Sequence, residues 1–225
     1  MNVRLDVLSL PFWSAEEIAA AVRPALLHLE MRRVLAYPTE TVYGFGGALD
    51  RDSVDALVKL KRRPPGKPFL LLVAGADMIE RLDLHLPSYA ANLAARHWPG
   101  PLTLVLPGGE HRVSPRLRGP EGGVAVRWTS HPAISRLIRA HGDAITSTSA
   151  NLPGVPPAVS AGEILSQWGD AIARGQLRVL DGGQLSASRP STVVDCTGRF
   201  PRVIRPGAIA ASVLRESVPN LIGEV

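Results

Sequence analysis

Cysteine is nearly missing from this 225-residue chain, in which Cys196 stands alone. A single thiol excludes an internal disulfide and a cysteine-built zinc site. Its neighbours Val193, Val194 and Asp195 have strand character, which predicts a buried, inert thiol. Aromatic residues are also scarce, at 5%, so the core is expected to rest mainly on Leu, Val, Ile and Ala. No stretch reaches ~18 uninterrupted apolar residues, so no membrane-spanning helix is expected. The chain does not open with a basic segment and a long apolar run, so it shows no secretory-signal pattern and a cytoplasmic location is expected. Common chemical signatures are missing as well. There is no GxxxxGKS/T phosphate loop, no full GxGxxG fingerprint and no GxSxG nucleophile elbow. The six histidines show no HExxH or other metal-ligand spacing, so no protein-held metal site is expected.

What is present is a globular composition, with 45% hydrophobic and 20% charged residues, which excludes long disorder. The formal net charge of +5 suits a phosphate-rich partner or substrate. Strand-like and helix-like runs alternate along the chain. Ser14 and Glu17 form a capping box ahead of a helix carrying Ile18, Val22, Leu26 and Leu29 on one side, and Pro24 within it predicts a kink or early break. Asp52 is placed to cap a second helix, whose apolar positions are Val54, Leu57 and Val58. Strands are expected at 34–37, 69–73, 102–106, 124–128, 144–148, 178–180, 192–194 and 202–205. Further helices are expected at 76–81, 88–97, 131–141, 161–173 and 208–216, with a long loop, functional or mobile, at 112–123. The pattern predicts one α/β domain over 1–225 with a mixed rather than all-parallel sheet.

Polar clusters follow several of these elements. The stretch AYPTETVYGFGG, 36–47, ends a short strand at Pro38, presents Thr39, Glu40 and Thr41, and then places Gly44, Gly46 and Gly47 where a Cβ would obstruct close approach. In an open α/β sheet, ligands bind beyond the carboxyl ends of strands. The run KRRPPGKPF holds Lys61, Arg62, Arg63 and Lys67 close together, with Pro64, Pro65 and Gly66 fixing the chain between them. Cations there complement a helix C-terminus, and they also suit polyphosphate. Thr146, Ser147, Thr148, Ser149 and Asn151 form a cluster that either binds a ligand or satisfies its own turn. Arg127 lies in an apolar strand and requires a carboxylate from protein or ligand. Ser191 and Arg205 sit on or beside the late strands.

The blocks YPTETVYGFGG, KRRP, WPGPLT, STSAN, PSTVVD and VIRPG, in that order from Tyr37 to Gly207, resemble the YrdC-type family of L-threonylcarbamoyladenylate synthases. The resemblance implies an open, twisted, mixed α/β sheet flanked by helices around a basic cavity. It implies the conversion of L-threonine, bicarbonate and ATP, with magnesium, to threonylcarbamoyl-AMP and pyrophosphate. A partner transferase complex would then act on tRNA beside the anticodon. By resemblance, Lys61 and Arg63 would be the catalytic cations, holding ATP with Lys67, Ser149, Asn151 and Arg205. Thr39, Thr41, Arg127, Ser147 and Ser191 would form the threonine pocket. The sequence departs from the family pattern at Pro153, Lys67, Leu72 and Trp128-Thr129. The short, single-domain branch is implied, without a further C-terminal domain. Direct binding of double-stranded RNA, and a carbamoyl-phosphate-using relative, are the competing readings. The latter lacks its expected zinc-finger and acylphosphatase-like segments here.

Overall fold

The computed structural model describes residues 9–64, 67–186 and 188–223. In chain order the elements are β1 (Ser9–Pro11), α1 (Ala15–Glu30), β2 (Val34–Tyr37), β3 (Gly44–Gly46) and α2 (Arg51–Lys61). Next come β4 (Leu70–Val73), α3 (Ala76–Arg81), α4 (Ser88–His97), β5 (Leu102–Leu106) and β6 (Val124–Trp128). The chain continues through α5 (Pro132–His141), β7 (Ile145–Ser149), α6 (Ala161–Ala173), β8 (Leu177–Asp181), β9 (Thr192–Asp195), β10 (Arg202–Arg205) and α7 (Ala211–Ser217). These elements cluster into two compact units, one built from 1–65 and 131–187, the other from 66–130 and 188–225.

In the first unit the strands lie in the order β1-β8-β2-β3-β7. The β1–β8 and β8–β2 pairs are parallel, whereas β2–β3 and β3–β7 are antiparallel. The mixed sheet expected from the sequence is therefore present. Helix α1 starts with the expected capping box, Ser14 accepting from the Glu17 amide and Glu17 accepting from the Ser14 amide. The helix runs on through Pro24 to Glu30, so the early break does not occur. Proline's missing bond falls on the carbonyl of Ala20, an exposed residue whose oxygen water can satisfy. The buried stripe is also shifted from expectation, to Ala21, Ala25, His28 and Leu29. Small alanines let the helix lie close against its neighbours. Helix α2 is capped by Asp50 rather than Asp52, its carboxylate accepting from the Asp52 and Ser53 amides at 3.0 and 3.2 Å.

Strand β3, which the sequence did not announce, is made of glycine, phenylalanine and glycine. Its register is enforced by contact. A Cβ on Gly46 would lie 1.9 Å from the Thr146 carbonyl oxygen and 2.6 Å from the Tyr37 hydroxyl. Although aromatics are few, Tyr37, Tyr43 and Phe45 are all fully buried here. The Tyr43 hydroxyl donates to the Gly183 carbonyl at 2.8 Å and accepts from the Gly182 amide at 3.0 Å. Burial pushes this phenol up to about 12, so it remains a neutral structural tie.

The second unit orders its strands β4-β6-β5-β9-β10. Parallel β4–β6 and β5–β9 pairs alternate with antiparallel β6–β5 and β9–β10 pairs. The continuous apolar run of β4 fits a strand covered on both faces, and β5 and β6 are mostly buried around Thr103 and Arg127. The register slips between Val203 and Arg205, a bulge that re-aims the end of β10. Cys196 is fully buried and its thiol is pushed up to about 12 by burial, as the inert reading requires. The loop at 112–123 contains a 3-10 turn, Pro115–Leu117, and is held by Arg118. That guanidinium donates to the carbonyls of Gly122 and Gly108 at 2.6 and 2.9 Å. The last helix starts at Ala211, three residues later than expected.

Candidate functional site

In the first unit, the end of α2 meets the turn after β7. Lys61 is 4% exposed, and its Nζ donates to the Ser149 carbonyl at 2.7 Å, the Asn151 carbonyl at 2.5 Å and Asn151 Oδ1 at 2.7 Å. All three ammonium hydrogens are thus directed at neutral oxygens of this turn. Burial, then the positive charge of Arg63, push Lys61 down to about 8. The three acceptors favour the ammonium, so it carries a proton at neutral pH. Arg62 follows in the left-handed conformation, φ 48°, and separates the two neighbouring cations. Arg63 then donates to Thr148 Oγ1 at 3.2 Å, and burial pushes its guanidinium down as well. Pro65 and Gly66 of the basic run lie outside the described residues.

The serine-rich turn is internally bonded. Ser149 Oγ donates to Asn151 Oδ1 at 2.7 Å, and Asn151 Nδ2 donates to the Val155 carbonyl at 2.6 Å. This is the self-satisfied turn that the sequence left open, built around a lysine and lying beside an arginine. Thr39 and Thr41, each 3% exposed, form a second such turn. Thr39 Oγ1 donates to the Val42 carbonyl at 2.7 Å, accepts from the Thr41 amide at 3.2 Å and lies 3.1 Å from Thr41 Oγ1. Ser147 is buried beside Gly44, where an added Cβ would come 3.3 Å from its Oγ. The first unit therefore holds Thr39, Thr41, Lys61, Arg63, Ser147, Ser149 and Asn151.

The second unit holds Lys67, Arg127, Ser191 and Arg205. Arg127 is 4% exposed on β6, in register with buried Leu72 of β4. Arg205, beyond the bulge, donates from Nη2 to the Ser191 carbonyl at 2.8 Å and to Ser191 Oγ at 3.0 Å. Crowding by protein atoms pushes Arg205 down, and the positive charge of Arg127 adds to the effect. Arg205 is thus grouped with Ser191 and Arg127, although the resemblance divides them between nucleotide and threonine. Gly207 seals the arrangement, since its Cβ would meet the Pro190 carbonyl oxygen at 2.3 Å. The blocks PSTVVD and VIRPG accompany one another because they are in contact. Lys67 is exposed at the start of this unit.

Thr148, named from the sequence only as part of the hydroxyl cluster, receives Arg63, and Thr103, which sequence reasoning omitted, has its Oγ1 2.8 Å from Ser191 Oγ. Both belong to the blocks already singled out, STSAN and WPGPLT, and a buried hydroxyl on a strand was the available signal. Each unit thus brings two cations near one another, and Lys61, Arg63 and Arg205 each donate to neutral hydroxyls or carbonyls. Such like-charge pairs are relieved by a bound anion, and an arginine fork suits phosphate or carboxylate.

The Sua5/YciO/YrdC family model, described as "Telomere recombination", matches residues 28–207. The chain belongs to this family. It is 36% identical over 206 residues to the threonylcarbamoyl-AMP synthase of Pyrococcus abyssi, covering 91% of this chain and 58% of that relative. It is 36% identical over 181 residues to the threonylcarbamoyl-AMP synthase of Chromohalobacter salexigens, covering 80% of this chain and 95% of that one. Among solved structures, P. abyssi Sua5 complexed with L-threonine matches with a TM-score of 0.82 at 33% identity, covering 89% of this chain and 58% of that chain. The chain therefore spans little more than half the length of the Pyrococcus proteins. Like the Sua5 structure, this family member carries an open mixed sheet with flanking helices. Among the described residues, no helix is long and apolar enough to cross a membrane.

Proposed function

We propose that this chain is a threonylcarbamoyl-AMP synthase, converting L-threonine, bicarbonate and ATP to threonylcarbamoyl-AMP and pyrophosphate. The observation that carries the reading is the pair of cation couples, Lys61 with Arg63 and Arg205 with Arg127. Lys61 and Arg205 are held by neutral oxygens, so they keep their charge for anionic substrates. The names of the relatives, and the threonine in the Sua5 complex, supply the substrate class.

In this reading the threonine amine attacks the bicarbonate carbon, and water leaves to give an N-carboxylate. A carboxylate oxygen then attacks the α-phosphorus of ATP, and the bond to pyrophosphate breaks. Charge builds on the phosphoryl oxygens, so positioned cations are the main requirement and no nucleophilic side chain is needed. Arg63 would donate to the phosphates directly. Lys61 would hold the Ser149–Asn151 turn and contribute its charge, and Thr39, Thr41 and Ser147 of the same unit would supply hydroxyls to the amino acid. In the second unit, the resemblance assigns Lys67 and Arg205 to phosphate and Arg127 and Ser191 to the threonine carboxylate. Among the described residues, no group of three His, Cys, Asp or Glu side chains is placed to hold a metal ion. Magnesium would accordingly enter as part of the ATP substrate, largely ligated by phosphate oxygens.

The product is a mixed anhydride, and a transferase complex acting on tRNA in the cytoplasm would consume it. The test is pyrophosphate release by the purified chain with ATP, magnesium and bicarbonate. Release that requires L-threonine supports the synthase. Threonine-independent release contradicts it, and no release together with a salt-sensitive complex on duplex RNA favours direct RNA binding instead.

A further inference from the structure

The first unit contains a cavity of about 640 Å³ between α2, α6 and the turn before β2, apart from the Lys61 cluster's hydrogen bonds. Its floor is apolar, formed by Val34, Leu60, Leu152 and Trp168. Five cations line it: Arg32, Arg33, Lys59, Arg62 and Arg174. Three carboxylates, Asp52, Asp55 and Asp170, accompany them, leaving a formal excess of two positive charges (5 − 3). Asp52 is ion-paired with Arg32 at 2.5 Å, so part of the rim is pre-ordered.

The cavity is built into the framework of the candidate site. Arg62 lies in it because the left-handed backbone there separates it from Lys61 and Arg63. Leu152 directly follows Asn151. Trp168 packs edge-on against Phe45 of β3, with ring centroids 4.8 Å apart at 84°. Trp168 also departs from helical geometry inside α6, at φ −121° and ψ 24°, so the helix is distorted where it forms the cavity wall.

We propose that this cavity is a second ligand site, for an organic anion of mononucleotide size, backing onto the phosphate-binding cluster. The volume lies within the range of small-molecule pockets. An apolar floor suits a flat base, and the cationic excess matches a phosphate monoester of charge near −2 at neutral pH. The carboxylates would accept from sugar hydroxyls or an exocyclic amine. They would also repel a continuous polyphosphate backbone, which argues for a single nucleotide over a nucleic-acid strand.

The experiment titrates AMP by calorimetry into the full chain carrying Arg63→Ala, which disables the proposed ATP cluster, alone and with Arg174→Glu or Ala56→Trp added. Arg174 is an exposed rim residue, and Ala56→Trp fills the cavity from α2. In that background AMP should still bind, weaken at least roughly tenfold with Arg174→Glu and disappear with Ala56→Trp. The shared background separates this site from the proposed ATP cluster, whether or not the chain proves to be a synthase. Inorganic phosphate should bind at least roughly tenfold more weakly than AMP. If Ala56→Trp loses its folded circular dichroism, Arg174→Glu decides alone. Undiminished AMP binding on adding Arg174→Glu, absence of millimolar binding in the Arg63→Ala background, or equal affinity for phosphate would overturn the proposal.

Discussion

Replacing Lys61 with methionine separates the structural role of this residue from its charge. Methionine retains the apolar stem but removes the ammonium that serves three oxygens at 2.5–2.7 Å. Leaving the Ser149 and Asn151 carbonyls without that donor should cost about 1–3 kcal/mol each. Against this stands the cost of burying the charge. A shift from 10.5 to about 8 in a residue 4% exposed corresponds to about 3 kcal/mol, using ~1.4 kcal/mol per pKa unit. The two effects nearly cancel at pH 7, so Lys61→Met should change unfolding free energy by no more than about 3 kcal/mol. The sign with pH is fixed. Between the folded value near 8 and the unfolded value of 10.5, the unfolded state binds more protons, so Lys61 makes wild-type stability rise with pH. Urea denaturation of both proteins from pH 7 to 10.5 should show the wild-type advantage growing by about 3 kcal/mol. Adenylate formation by the folded variant should fall at least roughly 100-fold. A difference between the two proteins that does not change with pH would refute the assignment of a buried, tied ammonium.

Other positions carry independent expectations. Arg127→Ala should raise the threonine KM by roughly ten- to a hundredfold while leaving the ATP KM within about twofold, read from initial rates; an unchanged threonine KM would remove Arg127 from that pocket. Gly46→Ala should destabilise by at least about 2 kcal/mol, because its Cβ would sit 1.9 Å from the Thr146 carbonyl oxygen. A denaturation midpoint equal to wild type would contradict the β3 register. His28, 3% exposed, has its value lowered from 6.5 to about 4 by burial. Its share of stability is complete above pH 6.5 and is lost as pH falls towards 4, about 3 kcal/mol in all. His28→Gln should remove that share of the acid sensitivity, measured by urea denaturation between pH 7 and 4.

Most elements are legible because their signals are local. Helix α4 and strands β5 and β6 occupy the expected ranges, since each is a periodic or continuous apolar run bounded by turn residues. Strand β3 is not legible, because Gly-Phe-Gly has little strand propensity and is held by backbone approach to Thr146. The cap of α2 lies two residues before the expected one, because Asp50 and Asp52 are both suitable and only backbone conformation selects Asp50. At the candidate site, the basic run and the serine cluster were visible as clusters. That Lys61 spends its donors on that same turn was not, because its partners include two main-chain oxygens 88 and 90 residues away. The contact between Arg205 and Ser191 likewise follows a register slip in β10 that no residue type announces.

The central claim is tested most directly by tracing the carbon of labelled bicarbonate into a nucleotide product. The purified chain would be supplied with ATP, magnesium, labelled bicarbonate and either L-threonine or no amino acid. The account predicts a labelled adenylate that forms only when threonine and ATP are both present, in equal amount to the pyrophosphate released. An adenylate that lacks the label, or one that forms without threonine, would contradict it.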